Sequence, residues 1–304
     1  MSRSRMLVGA VMLFLGVSLA VHAQPRPAEF FDVPGAEVTT AWAISPSGEL
    51  VGTGVSGPPS ANVLHGYQRD KHGNLTVVDV TTAGTFAKNC TSARGIRPSG
   101  EIVGFFQTLT CGGSQPEMRP GAHGFVRPRN GSLEVVDAGF PGTAGTIVVG
   151  TNPRGDLVGS YLDAGNRIHG FLRHDGSFTR IDVTGATLTT CRGINSKGEI
   201  VGRFDTHRYL RKVDGTVETI DFPGAASTIV AAINPEGDIV GTFVKGGVTH
   251  GFVRKAGGAP VELDVKPGAT ETQPAGISPS GDIVGWVRFL EGGTTKTRGF
   301  IQKR

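Results

Sequence analysis

The stretch AINPEGDIVG, residues 232–241, contains the signals that decide the fold. Pro235 fixes φ at the first corner of a type I turn, and Gly237 accepts the left-handed conformation that follows. Short runs rich in β-branched residues flank the turn, which predicts a tight β-hairpin. The pattern occurs six times: AISPSGELVG at 43–52, GIRPSGEIVG at 95–104, GTNPRGDLVG at 150–159, GINSKGEIVG at 193–202, AINPEGDIVG at 232–241 and GISPSGDIVG at 276–285.

Two further motifs follow the turn motif in most copies. The second motif is HGYQR at 65–69, HGFVR at 123–127, HGFLR at 169–173, HRYLR at 207–211, HGFVR at 250–254 and RGFIQ at 298–302. The third motif contains an aspartate, as in VVDV at 77–80 and TIDFPGA at 219–225. Successive turn motifs start 39 to 55 residues apart. This length fits four short antiparallel strands, the size of a propeller blade.

The two ends of the chain each carry part of one repeat. The chain opens with a third motif, FFDVPGA at 30–36, and closes with a second motif at 298–302. We therefore expect strand 30–33 to pair with strand 297–302 and to close the last blade. The predicted fold is an all-β, six-bladed β-propeller closed by its N-terminal strand. An open β-solenoid or an array of sandwiches is the alternative, although polar capping repeats are not evident.

The N-terminus has the pattern of a secretory signal peptide. Arg3 and Arg5 precede an apolar run at 6–20, and Val21-His22-Ala23 offers small residues at the cleavage positions. We predict that residues 1–23 are removed and that residues 24–304 form a single propeller domain. The run is shorter than a membrane helix requires, and no second apolar stretch follows. The predicted location is therefore the periplasm or the extracellular space, without a membrane span.

The repeated G-I-N-x-x-G-x-I-V-G followed by H-G-F-x-R resembles the HAF-repeat family of exported bacterial proteins. The resemblance covers nearly the whole mature chain, with departures at HRYLR, 207–211, and RGFIQ, 298–302. It implies an extracellular or periplasmic β-repeat protein. The family implies no particular activity.

The charge balance, the cysteine count and the absence of known motifs limit the classes of function that we expect for this protein. Without Arg3 and Arg5, 28 basic and 26 acidic residues remain, spread without a basic tract, so nucleic-acid binding is not expected. Enzyme signatures, cofactor motifs and His/Cys metal spacing are absent from the sequence, so we predict no catalytic residues, no metal and no cofactor. Cys90 and Cys111 could form a disulfide, leaving Cys191 as a buried free thiol.

Histidine and aspartate recur at a fixed interval that could suggest a catalytic dyad. The pairs are His65 and Asp79, His123 and Asp137, His169 and Asp182, His207 and Asp221, and His250 and Asp264, each 13 or 14 residues apart. A hairpin would place them opposite each other on neighbouring strands. Because one active site needs one pair, we interpret the repeat as a structural contact. Arg298 stands in the histidine position opposite Asp32.

A ring of carboxylates also repeats after each turn glycine. The six residues are Glu49, Glu101, Asp156, Glu199, Asp238 and Asp282. Six acidic oxygens on one rim could bind Ca²⁺, whereas separated, solvated turn residues are the alternative that we favour.

A binding site is better sought where the repeats differ. A threonine precedes each turn motif at a fixed interval and aligns the first strands without gaps: Thr39, Thr91, Thr146, Thr189, Thr228 and Thr272. One aligned position then holds Trp42, Arg94, Val149, Arg192, Ala231 and Ala275. We predict that Trp42, Arg94 and Arg192 meet at the channel mouth, where arginines would bind an anionic or sugar-like ligand and Trp42 would stack on it. The alternative is that both arginines pair with local carboxylates and Trp42 fills a gap between blades.

The predicted function is an exported binding or interaction module that recognises a small molecule, a glycan or a protein at the channel mouth or one rim. The irregular segment 107–121 could cover one rim and contribute to binding, or it could be a tolerated surface loop that Cys111 anchors. Alternatives are a propeller hydrolase or lyase with its active site in the channel, and a structural envelope or surface protein. We expect a monomer.

Overall fold

The computed structural model describes residues 27–57, 63–80, 90–107 and 118–304. These ranges contain 24 β-strands and no helix, which confirms the all-β prediction. The predicted signal peptide, residues 1–23, lies outside the described residues. Within them, no helix has the length and apolar composition to cross a lipid bilayer.

The strands pair as four-stranded antiparallel units in chain order. The first strand, β1, is Glu29–Phe31. Unit 1 contains β2 Val38–Ile44, β3 Leu50–Ser56, β4 Val63–Arg69 and β5 Leu75–Val77. Unit 2 contains β6 Thr91–Ile96, β7 Ile102–Gln107, β8 Ala122–Arg127 and β9 Glu134–Val136. Unit 3 contains β10 Gly145–Thr151, β11 Leu157–Leu162, β12 Ile168–His174 and β13 Ser177–Ile181.

The remaining strands repeat this arrangement. Unit 4 contains β14 Thr189–Ile194, β15 Ile200–Phe204, β16 His207–Arg211 and β17 Val217–Thr219. Unit 5 contains β18 Ser227–Ile233, β19 Ile239–Lys245, β20 Val248–Arg254 and β21 Pro260–Glu262. Unit 6 contains β22 Glu271–Ile277, β23 Ile283–Glu291 and β24 Thr294–Gln302.

The fourth strand of unit 6 comes from the other end of the chain. β1 pairs antiparallel with β24, with Phe30 opposite Phe300 and Phe31 opposite Gly299. Arg298 and Asp32 form a salt bridge of 2.8 Å beside this pairing. The expected pairing of the N-terminal strand with the last repeat is therefore confirmed.

The turn motif forms the hairpin that its sequence predicts. In unit 5, the Gly237 N–H donates to the Asn234 carbonyl at 3.0 Å, and the φ of Gly237 is +97°. The second predicted hairpin, at residues 174–177, brings His174 opposite Ser177, with positive φ at Asp175 and Gly176. Local backbone preferences thus determine both turns.

The hydrophobic core lies between units. Each of the six clusters found in the described ranges combines residues from two successive units. The cluster between unit 6 and unit 1 joins Val284 and Ile301 to Ala41 and Tyr67. Burial of apolar surface therefore stabilises each unit through its neighbours.

Five of the six repeated threonines, all except Thr272, accept a hydrogen bond from a backbone N–H of the preceding unit or of the segment after β1. The side chain of Thr91 in unit 2 accepts the backbone N–H of Val80, which follows the aspartate of unit 1, at 3.0 Å. The Thr39 side chain in unit 1 accepts the N–H of Val33, next to β1, at 2.9 Å. These buried threonines satisfy backbone donors where a fourth strand ends.

Candidate functional site

Each first strand contains one extra residue that breaks its pairing with the second strand. In β2 the pairing passes from Ala41 to Ala43 and skips Trp42, and the same irregularity recurs in the other five first strands. The skipped residues are Trp42, Arg94, Val149, Arg192, Ala231 and Ala275. Such bulges redirect a side chain. The position at which the repeats carry Trp, Arg, Val or Ala is thus the position that each bulge redirects.

All six bulge residues line one cavity. Its volume is about 110 Å³, and every unit contributes its first strand to the lining. The structure therefore brings Trp42, Arg94 and Arg192 together, as predicted. A cavity of this size can hold several waters or a small anion, but it is smaller than the 300 to 1,000 Å³ typical of sites for drug-sized ligands.

Trp42 positions Arg94. The Arg94 guanidinium lies over the Trp42 ring, 3.5 Å from its centroid, and its Nε donates to Ser92 Oγ at 2.9 Å. Trp286 of unit 6 packs against Trp42 with ring centroids 4.6 Å apart at 63°. A cation over an aromatic face is attracted to the ring. One face of Trp42 is therefore occupied by Arg94, so stacking of a ligand on that face, as the sequence suggested, does not fit.

Two positive charges meet in this cavity without a counterion. Burial and the nearby Arg192 guanidinium lower the pKa of Arg94 to about 9, which still leaves it protonated at neutral pH. The pKa of Arg192 is also lowered, chiefly by the enclosing first strands and then by repulsion from Arg203, although the Arg192 side chain remains exposed to solvent. Within the described ranges, neither Arg94 nor Arg192 forms a salt bridge, and the cavity lining contains no carboxylate, imidazole or thiol. The alternative of local arginine–carboxylate pairs therefore does not hold.

The repeated His–Asp pairs are structural contacts. In four units the histidine Nδ1 lies 2.6 to 3.0 Å from the aspartate carboxylate, as predicted. In unit 4 the corresponding contact between His207 and Asp221 does not occur among the described residues. These pairs lie away from the cavity lining.

The six turn carboxylates bind separate partners. The cation or amide partners of Glu49, Glu101, Asp156, Glu199, Asp238 and Asp282 are respectively Arg129, Arg97, Arg154, Asn195, Lys255 and Lys303. Among residues that the structure describes, one group of His, Cys, Asp and Glu is close enough to share a metal, namely His250, Glu262 and Asp264. The structure therefore does not gather the carboxylate ring into a Ca²⁺ site.

The structure tests one of the two cysteine predictions. Cys191 is a buried free thiol, as expected, and burial raises its pKa to about 12. Cys111 lies outside the described residues, so its disulfide with Cys90 stays a prediction. Most of the irregular segment 107–121, namely residues 108–117, also lies outside them.

The sequence did not identify three residues beside the cavity. Trp286 and Ser92 hold Trp42 and Arg94 in place, and Arg203 adds positive charge next to Arg192. Arg203 follows a turn-motif glycine, at a position where the other units carry threonine, phenylalanine, serine, threonine or tryptophan. Comparison of that position across the repeats could have found it.

No family model matches the chain, and no curated protein matches it. Many solved structures are similar to this chain, and three of them are described below. TolB from Acinetobacter baumannii has a TM-score of 0.55 and 13% identity, covering 85% of this chain and 64% of that one. Pyrococcus horikoshii acylaminoacyl peptidase has a TM-score of 0.52 and 10% identity, covering 90% of this chain and 53% of that one.

The third structure is AofleA from Arthrobotrys oligospora. Its TM-score is 0.50 at 14% identity, covering 91% of each chain. This chain thus spans about two thirds of the TolB chain and about half of the peptidase chain, but most of AofleA. At such low sequence identity, structural similarity is evidence about the fold alone. The chain has an all-β, β-propeller-like fold.

Proposed function

We propose that this chain is an exported binding module, a six-bladed β-propeller whose central channel binds a small anion. The observation that carries the proposal is the meeting of Arg94 and Arg192 in one cavity without a carboxylate partner. Neighbouring guanidinium groups without a carboxylate repel each other, and a bound oxyanion would accept charge-assisted hydrogen bonds from both of them. The ligand would thus replace the missing counterion.

The closed, six-bladed ring is supported by contacts at the junction of unit 6 and unit 1. β1 supplies the fourth strand of unit 6, and the core cluster at this junction resembles the other five. At Gly276 an added Cβ would lie 2.7 Å from the Trp42 carbonyl oxygen, so the first strands of these two units are in close contact. We propose export through a signal peptide cleaved after Ala23.

A binding role fits this cavity better than catalysis. A hydrolase or lyase needs a nucleophile, a general base or a metal. Thr151 carries the sole side-chain hydroxyl in the described lining, and it already accepts a hydrogen bond from Arg97 Nε at 2.7 Å. The enzyme and envelope-protein alternatives therefore rank below anion binding.

Thermal unfolding tests the proposal. The purified protein is titrated with acetate, sulfate and inorganic phosphate at constant ionic strength. An anion at 100 times its Kd stabilises a protein by about 2.7 kcal/mol, which raises the Tm by about 5 °C for a chain of this size. We expect Arg94→Gln to abolish this shift.

The control is Arg167→Gln, which removes an exposed positive charge from a turn far from the cavity lining. It should retain the full shift. An equal shift in Arg94→Gln and in the unsubstituted protein would contradict the proposal, as would the absence of a shift with every anion.

A further inference from the structure

The junction between unit 4 and unit 5 differs from the other junctions at the second position of the second motif. Arg208 occupies the second-motif position at which the other units carry Gly66, Gly124, Gly170, Gly251 and Gly299. At Gly170, an added Cβ would lie 2.7 Å from Cys191 Sγ and 2.8 Å from the Ile181 carbonyl oxygen. In unit 4, where this position has a long side chain, β16 is shorter than the equivalent strands and contacts β18 over a shorter length.

Arg208 faces a second arginine across the sheet. Arg203 on β15 is its direct partner in the antiparallel pairing, and Thr190 on β14 is the next partner along. Directly opposed residues share one face of a sheet, and like charges there are destabilising. Arg192 follows Thr190 by two residues and lines the cavity, so the positive charge continues from the cavity to Arg203 and Arg208.

The protein does not neutralise this charge. Arg203 Nε donates to the Asp205 carbonyl at 2.7 Å, and Arg208 Nη1 donates to the Thr206 carbonyl at 3.0 Å. In the described part of the chain, neither arginine forms a salt bridge. Burial, Arg203 and Arg192 lower the pKa of Arg208 to about 10, and the charge of Asp221 only partly opposes this shift.

A hydroxyl group without a hydrogen-bond partner lies on the face of the sheet that carries Arg203 and Arg208. Thr190 Oγ1 is buried and has no hydrogen-bond partner. Buried polar atoms in proteins are rarely left unpaired. Two arginines with free guanidinium N–H groups and one unpaired hydroxyl are the donors that an oxyanion requires.

We propose that the channel ligand is a dianion; this inference rests on the proposed function. One acidic group lies between Arg94 and Arg192, and a second acidic group, linked to the first, is bound by Arg203 and Arg208. The cavity of about 110 Å³ accommodates one such group, so the rest of the ligand extends past Arg192. Carboxylates, phosphonates and phosphates share the required oxyanion chemistry.

Calorimetric titration tests this proposal with two series of probes. Linear dicarboxylates from succinate to suberate are compared with monocarboxylates of the same chain length, at constant ionic strength. Alkyl bisphosphonates form the second series, and the tighter series identifies the acidic group. We expect one dianion length to bind at least about 10-fold more tightly than its monoanion.

Three variants locate the second acidic group. The double substitution of Arg203→Gln and Arg208→Gln should remove the dianion preference, because dianion affinity should fall by at least about 10-fold more than monoanion affinity. Arg208→Gly, which introduces the residue of the other five units, should weaken dianion binding even if the double variant does not fold. The control Arg211→Gln removes one charge from the opposite face of β16 and should retain the preference.

The outcomes separate this proposal from the proposed function. If monoanions bind through Arg94 but no dianion binds more than about twofold more tightly, the second acidic group is wrong and the anion site stands. If neither probe series binds, both proposals are wrong.

Discussion

Units 3 and 4 have the same strand order and the same turn, yet they differ where they contact the next unit. In unit 3, Gly170 lets the unit pack closely against Cys191 of unit 4. In unit 4, Arg208 replaces that glycine, and β16 contacts the next unit over a shorter length. The repeated residues therefore hold the units together. Departures from the repeat place charge near the cavity.

The largest expected effect comes from removing a contact between units altogether. Deletion of residues 29–33 removes β1, including Phe31, which packs against Tyr67 in unit 1. Loss of two partly buried phenylalanines and the edge pairing should lower the free energy of unfolding by about 3 to 6 kcal/mol. Thermal unfolding measures the effect.

Leu290→Ala, at an exposed side chain, is the control for the β1 deletion and should change the Tm little. An equal Tm for the deletion and this control would mean that β1 does not stabilise the junction of unit 6 and unit 1.

A smaller effect is expected from adding one methyl group to the close junction of unit 3. Gly170→Ala places a Cβ against Cys191 and the Ile181 carbonyl, and such overpacking costs about 1 to 3 kcal/mol. Gly139→Ala is the matched control, because its Cβ would make an ordinary contact of 3.7 Å with Phe178. Chemical denaturation should separate the two variants; identical midpoints would show that the glycine is not needed for close packing.

The smallest effect concerns the rim, where unit 3 pairs its turn carboxylate with a histidine. His174 Nδ1 lies 2.6 Å from Asp156. This hydrogen bond is the main cause of the raised His174 pKa, and Asp175 adds to it. Burial opposes ionisation of Asp156, but its hydrogen bonds with His174, Arg154 and Asn152 leave its pKa below the usual range.

The sign of the pH dependence follows from these shifts. The raised His174 pKa stabilises the protein below about pH 6.5, and this contribution is lost as pH rises. The lowered Asp156 pKa stabilises it above about pH 4, and this contribution is lost as pH falls. His174→Gln should therefore lower the Tm by about 1 °C at pH 5.5 and less at pH 8. A loss that is larger at pH 8 would contradict the pairing.

Local signals explain why much of the fold could be predicted from the sequence. The turn at Gly237 depends on backbone preferences within four residues, and the His–Asp contacts follow from the length of one hairpin. The last repeat is divided between the two ends of the sequence, and this observation was enough to predict the pairing of β1 with β24.

The remaining features depend on contacts between distant residues. Glu49 binds Arg129 from the next unit, 80 residues away, which no local pattern indicates. The sequence aligned Trp42, Arg94 and Arg192 correctly but did not show that bulges redirect them or that Arg94 covers the Trp42 ring. Both features arise from the packing of first strands around one cavity.

The most direct test of the central claim is to locate an anion in the channel. Crystals soaked in selenate would reveal bound selenium by its anomalous scattering. We predict a peak within hydrogen-bonding distance of the Arg94 and Arg192 guanidinium groups, and no such peak in Arg94→Gln crystals. Selenate at surface sites with an empty channel in the unsubstituted protein would contradict the account.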